Sequence, residues 1–402
     1  MLSNTARPVV EATLPVVGAH IDTITQRFYG HLFAEHPDLI DGTFNRGNQA
    51  AGAQQQALAG SVAAFAGALV NRPDRLPERL LARIAHKHAS LAVQPEQYKV
   101  VHDHLMWAIG DVLGEAVTPD VASAWDEVYW LMANALINAE RDLYRARGVQ
   151  PDTTWRTWRV EHKFAETDDV DTFVVTPADG LAAPAALPGQ YVTVLLPMPD
   201  GVRQPRQYSL TRADDGRNQQ FTVKWVHGGG MPDGEVSTLL HHTIDVGDEL
   251  TISPPYGDVV LADRARPVVC LSAGIGITPV AGMLSHLAAA GSAARVMVLH
   301  ADVDERSFAL RRQVVGDIAA LPGASVHVWY ERGAETELPL TDVFAGMMDV
   351  SQVPLPDGAV CYLCGPLPFM QAVRSALIDR GIAARDIRYE IFGPDLWLAD
   401  RD

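Results

Sequence analysis

Pro267-Val-Val-Cys-Leu-Ser-Ala-Gly-Ile-Gly-Ile-Thr-Pro279 reads as a strand, a tight turn and the opening of a helix. The first seven residues are almost continuously apolar, as in a strand covered on both faces. Gly274, Ile275, Gly276 and Ile277 follow, and the two glycines let backbone approach a ligand or a neighbouring chain closely. Thr278 and Pro279 stand at the helix entrance, where free N–H groups favour a pyrophosphate. The spacing is not the three-glycine dinucleotide fingerprint. Beyond it, helical and extended patterns alternate through Pro279–Ala290, Arg295–His300, Arg306–Leu321, Val326–Tyr330, Val360–Cys364 and Pro368–Arg380. That alternation predicts an α/β domain with a parallel sheet and a nucleotide site. Cys364, Gly365 and Pro366 end a later strand and give the glycine turn a companion.

Upstream, the period changes to two. Trp155–Lys163, Asp171–Thr176, Gln190–Leu196, Gln207–Thr211, Phe221–Val226 and Glu249–Ser253 alternate and are separated by Asp-Gly and Pro-Gly turns, predicting a small antiparallel β-barrel. Before residue 148 the pattern is helical: Pro8–Phe33, Gln49–Val70, Pro77–Leu91, Pro95–Gly114 and the stretch from Pro119 to Arg147. Thr118-Pro119-Asp120 opens the last of these with a capping hydroxyl, a proline at the first helical position and a dipole-matched acid.

Composition narrows the function. The chain has 402 residues, 48% hydrophobic and 20% charged, enough for two or three domains. Against 49 acids stand 32 bases, a formal charge of −17, which disfavours nucleic acid and anionic lipid as partners. Three cysteines, Cys270, Cys361 and Cys364, are too few for a disulfide framework and suit a reducing cytoplasm. Cys361 and Cys364, three apart on a strand, point to opposite faces: Cys361 to the core, Cys364 to the nucleotide. They cannot build an iron–sulfur cluster or a four-cysteine zinc site. The longest apolar run, Ala57–Val70, is too short for a bilayer, and the N-terminal stretch, with Glu11 and Pro15 inside it, does not read as a signal peptide. Motifs of metalloproteases, serine hydrolases and P-loop enzymes are missing from the sequence.

Four polar residues interrupt the apolar stripes of the helical zone. His88 shares a face with Leu81, Ile84, Ala85 and Leu91, while His86 points away toward solvent. Taken alone, His88 is a core histidine bonded to a carbonyl. Gln54 is either a first-turn amide near solvent or a donor facing a ligand. Tyr29, beside Phe28 and Phe33, is ordinary aromatic core. Glu140 is an exposed edge carboxylate by default; buried, it would need Tyr98 or His88 as partner.

Taken together, Phe44-Asn45, Gln54, Lys87-His88, Pro95-Glu-Gln-Tyr98 and Ile137-Asn-Ala-Glu140 resemble, in order and spacing, the globin domain of bacterial flavohaemoglobins. The resemblance implies haem b, with His88 as the iron's metal ligand and Phe44 and Lys87 beside the porphyrin. It implies Tyr29 and Gln54 as distal donors to dioxygen, and Tyr98 and Glu140 as partners of the proximal imidazole. Arg206, Gln207, Tyr208 and Ser209 resemble the flavin strand of the ferredoxin-reductase superfamily, with Tyr191 on the preceding strand. Gly234, Glu235, Val236 and Ser237 would cradle the FAD diphosphate, on a helix expected to open at Ser237. The glycine turn with Cys364, Gly365 and Pro366 is similar to that superfamily's NAD(P)H site. Glu390, Phe392, Gly393 and Pro394 match the closing segment of flavohaemoglobins, whose aromatic covers the flavin. Ile391 stands where many members have Cys, and Thr238-Leu239 where many have Asn-Trp.

The expected architecture is multidomain: an all-α globin over 1–148, an antiparallel β-barrel flavin domain over 149–263 and a parallel-sheet nicotinamide domain over 264–402. The implied activity is NAD(P)H-dependent nitric oxide dioxygenase, turning nitric oxide and dioxygen into nitrate. The expected protein is a cytoplasmic monomer binding small molecules, with no nucleic-acid or integral membrane contact. A haem-based sensor reset by its reductase, and a flavin reductase with a docking module, are the rival readings.

Overall fold

The structure, a computed structural model, describes residues 1–47, 52–228, 232–261, 266–333, 339, 341–393 and 395. Two compact units divide the chain. One takes in residues 1–155, 195–206 and 393–402, and the other residues 156–194 and 207–392.

The helical part of the first unit contains α1 (Ala6–Glu35), α2 (Ala53–Asn71), α3 (Glu78–Ser90), α4 (Gln97–Leu113) and α5 (Pro119–Arg147). α5 keeps the bounds expected of it because both ends are specified locally. The Thr118 hydroxyl accepts from the Val121 N–H at 3.3 Å, and Gly148 leaves the helix at φ +67°, where a side chain would be strained. Ile24, Phe28, Leu32, Phe65, Leu69, Trp125 and Val128 meet in the core. Each is almost wholly buried, worth about 1.5–3 kcal/mol for a side chain of that size. The beginning of the helix expected from Gln49 falls outside the described residues.

The barrel comprises β1 (Arg156–Thr167), β2 (Val170–Pro177), β3 (Tyr191–Pro197), β4 (Arg203–Ser209), β5 (Gln219–Lys224) and β6 (Glu249–Ile252), with α6 (Glu235–His242) between the last two. Its strand order is β4-β3-β6-β1-β2-β5. An antiparallel bridge from Leu210 to Phe221 joins the two edges and closes the sheet. Trp158, Phe173 and Phe221 fill the interior, the two phenylalanines stacked at 5.5 Å.

The last region contains β7 (Val268–Ala273), α7 (Ile277–Ala289), β8 (Val296–Asp302), α8 (Arg311–Ala319), β9 (Ser325–Tyr330), β10 (Asp342–Ala345), β11 (Val360–Cys364), α9 (Leu367–Asp379) and β12 (Ile387–Glu390). The strands pair in parallel in the order β10-β9-β8-β7-β11-β12. The chain therefore reverses its direction of winding between β7 and β11, where open α/β sheets bind ligands.

Three local expectations need correction. The helix expected from Ser237 begins at Glu235, because Gly234 already takes the extended cap conformation. The helix expected over 306–321 begins only at Arg311. Asp304 instead caps a short turn at Glu305–Ser307, and Leu310 sits at φ +57°. Sequence periodicity also passed over β10 and β12, four-residue strands too short to display it.

α7 packs on the barrel through a bare backbone. A Cβ built on Gly282 would lie 2.2 Å from the Leu210 carbonyl oxygen. The Gly282→Ala variant is expected to lose about 1–3 kcal/mol, lowering the melting temperature of this unit by roughly 2–12 °C in calorimetry. An unchanged transition would mean that the helix lifts away freely.

Candidate functional site

The first constellation surrounds His88 on α3. Its Nδ1 lies 2.8 Å from Glu140 Oε1 on α5 and 2.9 Å from the Tyr98 hydroxyl on α4. The Tyr98 hydroxyl in turn donates to Glu140 Oε1 at 2.5 Å. A carboxylate only accepts, so the proton between His88 and Glu140 belongs to Nδ1. Nε2 is then left with a lone pair, and among the described residues it has no hydrogen-bond partner. This is the donor state of a metal-ligating histidine held by a carboxylate.

Glu140 is 2% exposed, so the edge carboxylate expected by default is instead sealed in the core, its charge compensated by these two donors. His88 is bonded to side chains and not to a carbonyl, and its own side chain keeps 32% exposure. His86 is half-buried. Burial and the Glu140 charge push the Tyr98 phenol far above its usual range, so it stays a donor. Two contacts that sequence reading missed brace this group. The Tyr129 hydroxyl donates to the Tyr98 carbonyl at 2.5 Å, and the Tyr144 hydroxyl to the Val93 carbonyl at 3.0 Å. Lys87 is half-buried, and its carbonyl accepts from Ser90 Oγ.

Elsewhere in the helical region, a cavity of about 530 Å³ is lined by Gln26, Tyr29, Gly30, Phe33, Ile40, Arg46 and Gln55. Gln26, Tyr29, Gly30 and Phe33 recur at intervals of three, one and three, a helical stripe visible in sequence once Tyr29 is suspected. Tyr29 is hydrogen-bonded to Gln54, and its burial holds the phenol protonated well above its usual range. Phe44 meets Tyr29 and Phe33 edge-on, at 6.1 and 5.2 Å between ring centres. The cavity therefore has an aromatic wall and a fixed phenolic donor.

In the barrel, Tyr208 stacks on Phe221 at 5.6 Å, and the Gln207 amide donates to Thr193 Oγ1 at 3.1 Å. Arg206 is anchored by a 2.7 Å bond to the Pro205 carbonyl; Ser209 is buried. Tyr191 is buried and bridges Tyr256 through backbone bonds at 2.8 and 2.9 Å. At α6, Ser237 Oγ donates to the Gly234 carbonyl and accepts from the Val226 N–H, folding the turn tightly. The amides of Glu235, Val236 and Ser237 form the first turn, the end of an α-helix that favours an anion. At the other end of α6 the Lys163 ammonium donates to the carbonyls of Leu240, His241 and Ile244 within 3.0 Å, matching the negative end of the helix dipole.

The glycine turn and Cys364–Pro366 meet across the β7–β11 switch point. A Cβ on Gly276 would lie 2.3 Å from the Cys364 carbonyl oxygen, so only glycine fits there. Gly274 has φ +53°, and Thr278 Oγ1 donates to the Ile275 carbonyl at 3.0 Å. Gly276, Ile277, Thr278 and Pro279 are buried, as is Cys364. Pro366 caps α9. Toward the end of the chain Glu390 closes β12, Gly393 has φ +115° and Phe392 is 49% exposed, a large ring left facing outward. Pro394 lies outside the described residues.

Comparison with known proteins finds three family patterns in succession. The globin family pattern matches residues 26–136, the oxidoreductase FAD-binding domain residues 158–261 and the oxidoreductase NAD-binding domain residues 270–375. The flavohemoprotein of Bordetella parapertussis is 42% identical over 402 residues, covering 98% of this chain and 99% of that one. The flavohemoprotein of Rhizobium meliloti is 39% identical over 406 residues, covering 99% and 100%. The chain belongs to the flavohaemoglobin family. The crystal structure of the Malassezia yamatoensis flavohemoglobin, with bound FAD and heme, superposes with a TM-score of 0.88 at 38% identity, covering 98% of this chain and 100% of that one. The FAD/NAD-binding domain of nitric oxide dioxygenase from Vibrio cholerae superposes with a TM-score of 0.55 at 36% identity, over 60% of this chain and 99% of that one. The protein is thus an oxidoreductase with globin, FAD-binding and NAD-binding domains in that order.

Burial raises all three thiols: Cys270 and Cys361 to about 12, and Cys364 well above its usual value. At pH 8 the native protein is therefore expected to resist iodoacetamide at all three, and to take three labels after denaturation. Rapid native labelling, read by mass spectrometry, would contradict the buried placement.

Proposed function

We propose that this protein is a nitric oxide dioxygenase that uses NAD(P)H, FAD and haem b to convert nitric oxide and dioxygen into nitrate. The observation that carries the reading is the His88–Tyr98–Glu140 triad, with Nε2 unpartnered among the described residues, in a globin-family domain followed by FAD- and NAD-binding domains. The residues present fit the three groups. His88 offers a neutral imidazole nitrogen, Tyr29 and Phe33 border a cavity with Phe44 packed edge-on against both, Gly276 allows close backbone approach, and Phe392 offers an aromatic ring. When bound, the nicotinamide supplies hydride, the flavin divides it into single electrons and the haem supplies an iron centre for gas chemistry.

The roles proposed for the chain's own residues draw support from the geometry. His88 would ligate iron through Nε2. Glu140 and Tyr98 hold its Nδ1 proton, fix the tautomer and increase the electron density that Nε2 donates. Tyr29, kept protonated by burial and oriented by Gln54, would donate to the bound gas. Phe44 and Lys87 would border the porphyrin. Arg206 and the turn from Gly234 through Glu235 and Val236 to Ser237 would bind the flavin diphosphate, the Gly234 amide itself being held by the Val226 carbonyl at 2.9 Å, with Tyr191, Gln207, Tyr208 and Ser209 around the flavin. Glu390, Phe392, Gly393 and Pro394 would close over it. Gly274 to Pro279, with Cys364, Gly365 and Pro366, would hold the dinucleotide. Nitrate contains one electron more than nitric oxide and dioxygen together, so each hydride serves two rounds.

The reading also places a monomer in the cytoplasm, working on small molecules. Among the described residues no helix is long and apolar enough to cross a membrane. Within the family, a sensor would bind the gases without consuming them, and nitric oxide uptake coupled to nicotinamide oxidation separates the two.

His88→Ala is expected to abolish the intense violet haem band and nitric oxide consumption, while reduction of ferricyanide by the nicotinamide survives. Retained haem with full consumption would overturn the reading. Glu140→Gln should keep the haem and lower turnover by about 10–100-fold. Tyr29→Phe is expected to speed dioxygen dissociation about tenfold in stopped-flow measurements; unchanged kinetics would remove Tyr29 from the gas site.

A further inference from the structure

α1 and α4 pack together and carry a second set of metal-ligating side chains that the proposed reaction does not use. His31 and Glu35 are four residues apart on α1, about 40° around the helix, and share one face. His104 reaches across from α4 and is 5% exposed. His31 Nδ1 lies 2.6 Å from His104 Nδ1, and His31 Nε2 lies 3.3 Å from Glu35 Oε1. One ligand atom from each of the three residues falls within 4.8 Å of the other two.

The cluster is held in place. The His31 ring stacks on Trp107 at 3.8 Å and 10° between planes. Arg27 covers Trp107 at 5.5 Å and pairs with Asp111. His36, which ends α1, sets its ring edge-on to His104 at 5.2 Å and supplies a further imidazole nearby.

The chemistry favours a cation. Two nitrogens 2.6 Å apart share at most one hydrogen, whereas a metal ion uses a lone pair from each. Two imidazoles and a carboxylate form a nitrogen–oxygen donor set of the kind that zinc takes, with water or His36 completing a tetrahedron.

We propose that His31, Glu35 and His104 form a zinc-class divalent cation site, separate from the haem iron, that clamps α1 to α4. The test uses the full-length holoprotein, stripped with a chelator and dialysed against micromolar Zn²⁺, with metal content read by mass spectrometry. One zinc per chain is expected in the parent. His31→Ala should lose it, and Glu35→Gln should bind at least about tenfold more weakly. Both changes are at partly exposed positions, and the haem spectrum and circular dichroism report whether the fold is kept. Zinc should also raise the melting temperature of the parent and leave that of His31→Ala unmoved. Absence of zinc in the parent, or equal zinc in parent and His31→Ala, overturns the site and leaves a hydrogen-bonded His–His–Glu cluster. Unweakened binding in Glu35→Gln overturns the three-ligand assignment.

Discussion

One buried carboxylate organises the helical region. Glu140 is removed from water, and an ionised side chain so placed is tolerated only when donors surround it. Tyr98 and His88 supply them from two other helices. The requirement runs in both directions: the carboxylate needs the imidazole proton on Nδ1, and that need determines which nitrogen of His88 remains basic. The electronic state of the candidate ligand is thus decided by the desolvation of a residue on a different helix. The hydroxyls of Tyr129 and Tyr144, bonded to carbonyls near that cluster, reduce the freedom of the backbone that presents it. A mobile triad would lose the directional hydrogen bonds that set the tautomer.

A similar economy governs the nucleotide end. A parallel sheet places the C-terminal ends of β7 and β11 side by side, and the turns leaving them compete for the same space. Glycine at 276 resolves the conflict by letting one backbone lie directly against the other. Gly282 does the same where α7 meets the barrel. These positions carry no side-chain chemistry, yet they set how near a ligand and a neighbouring domain can come. At α6, Ser237 places its hydroxyl inside the turn and Lys163 covers the opposite end.

Much of this was legible in the chain itself. The bounds of α5 could be read because a capping threonine, a proline and a terminal glycine each act locally. The β7 turn and helix could be read because an unbroken apolar run followed by Gly-x-Gly has few other solutions. The elements misjudged depend on tertiary context. β10 and β12 are too short to carry a period, and the late start of α8 depends on Leu310 adopting a left-handed conformation that no propensity favours. The depth of Glu140 was likewise out of reach: its helical angle borders the stripe, and only the arrival of Tyr98 and His88 from elsewhere makes burial affordable. Gln26 and Gly30 on the Tyr29 face were readable as a stripe, whereas Arg46 reaches the cavity from the segment after α1 and left no periodic trace.

The sealed cysteines carry a consequence for the chemistry of the chain's sulfur. Sulfur is nitrosated, glutathionylated or oxidised in proportion to its thiolate character and its access to solvent. Cys270, Cys361 and Cys364 are buried to within 2% of their surface, on strands of the dinucleotide-binding sheet. The three thiols of the reductase half are therefore shielded from reagents that modify exposed sulfur.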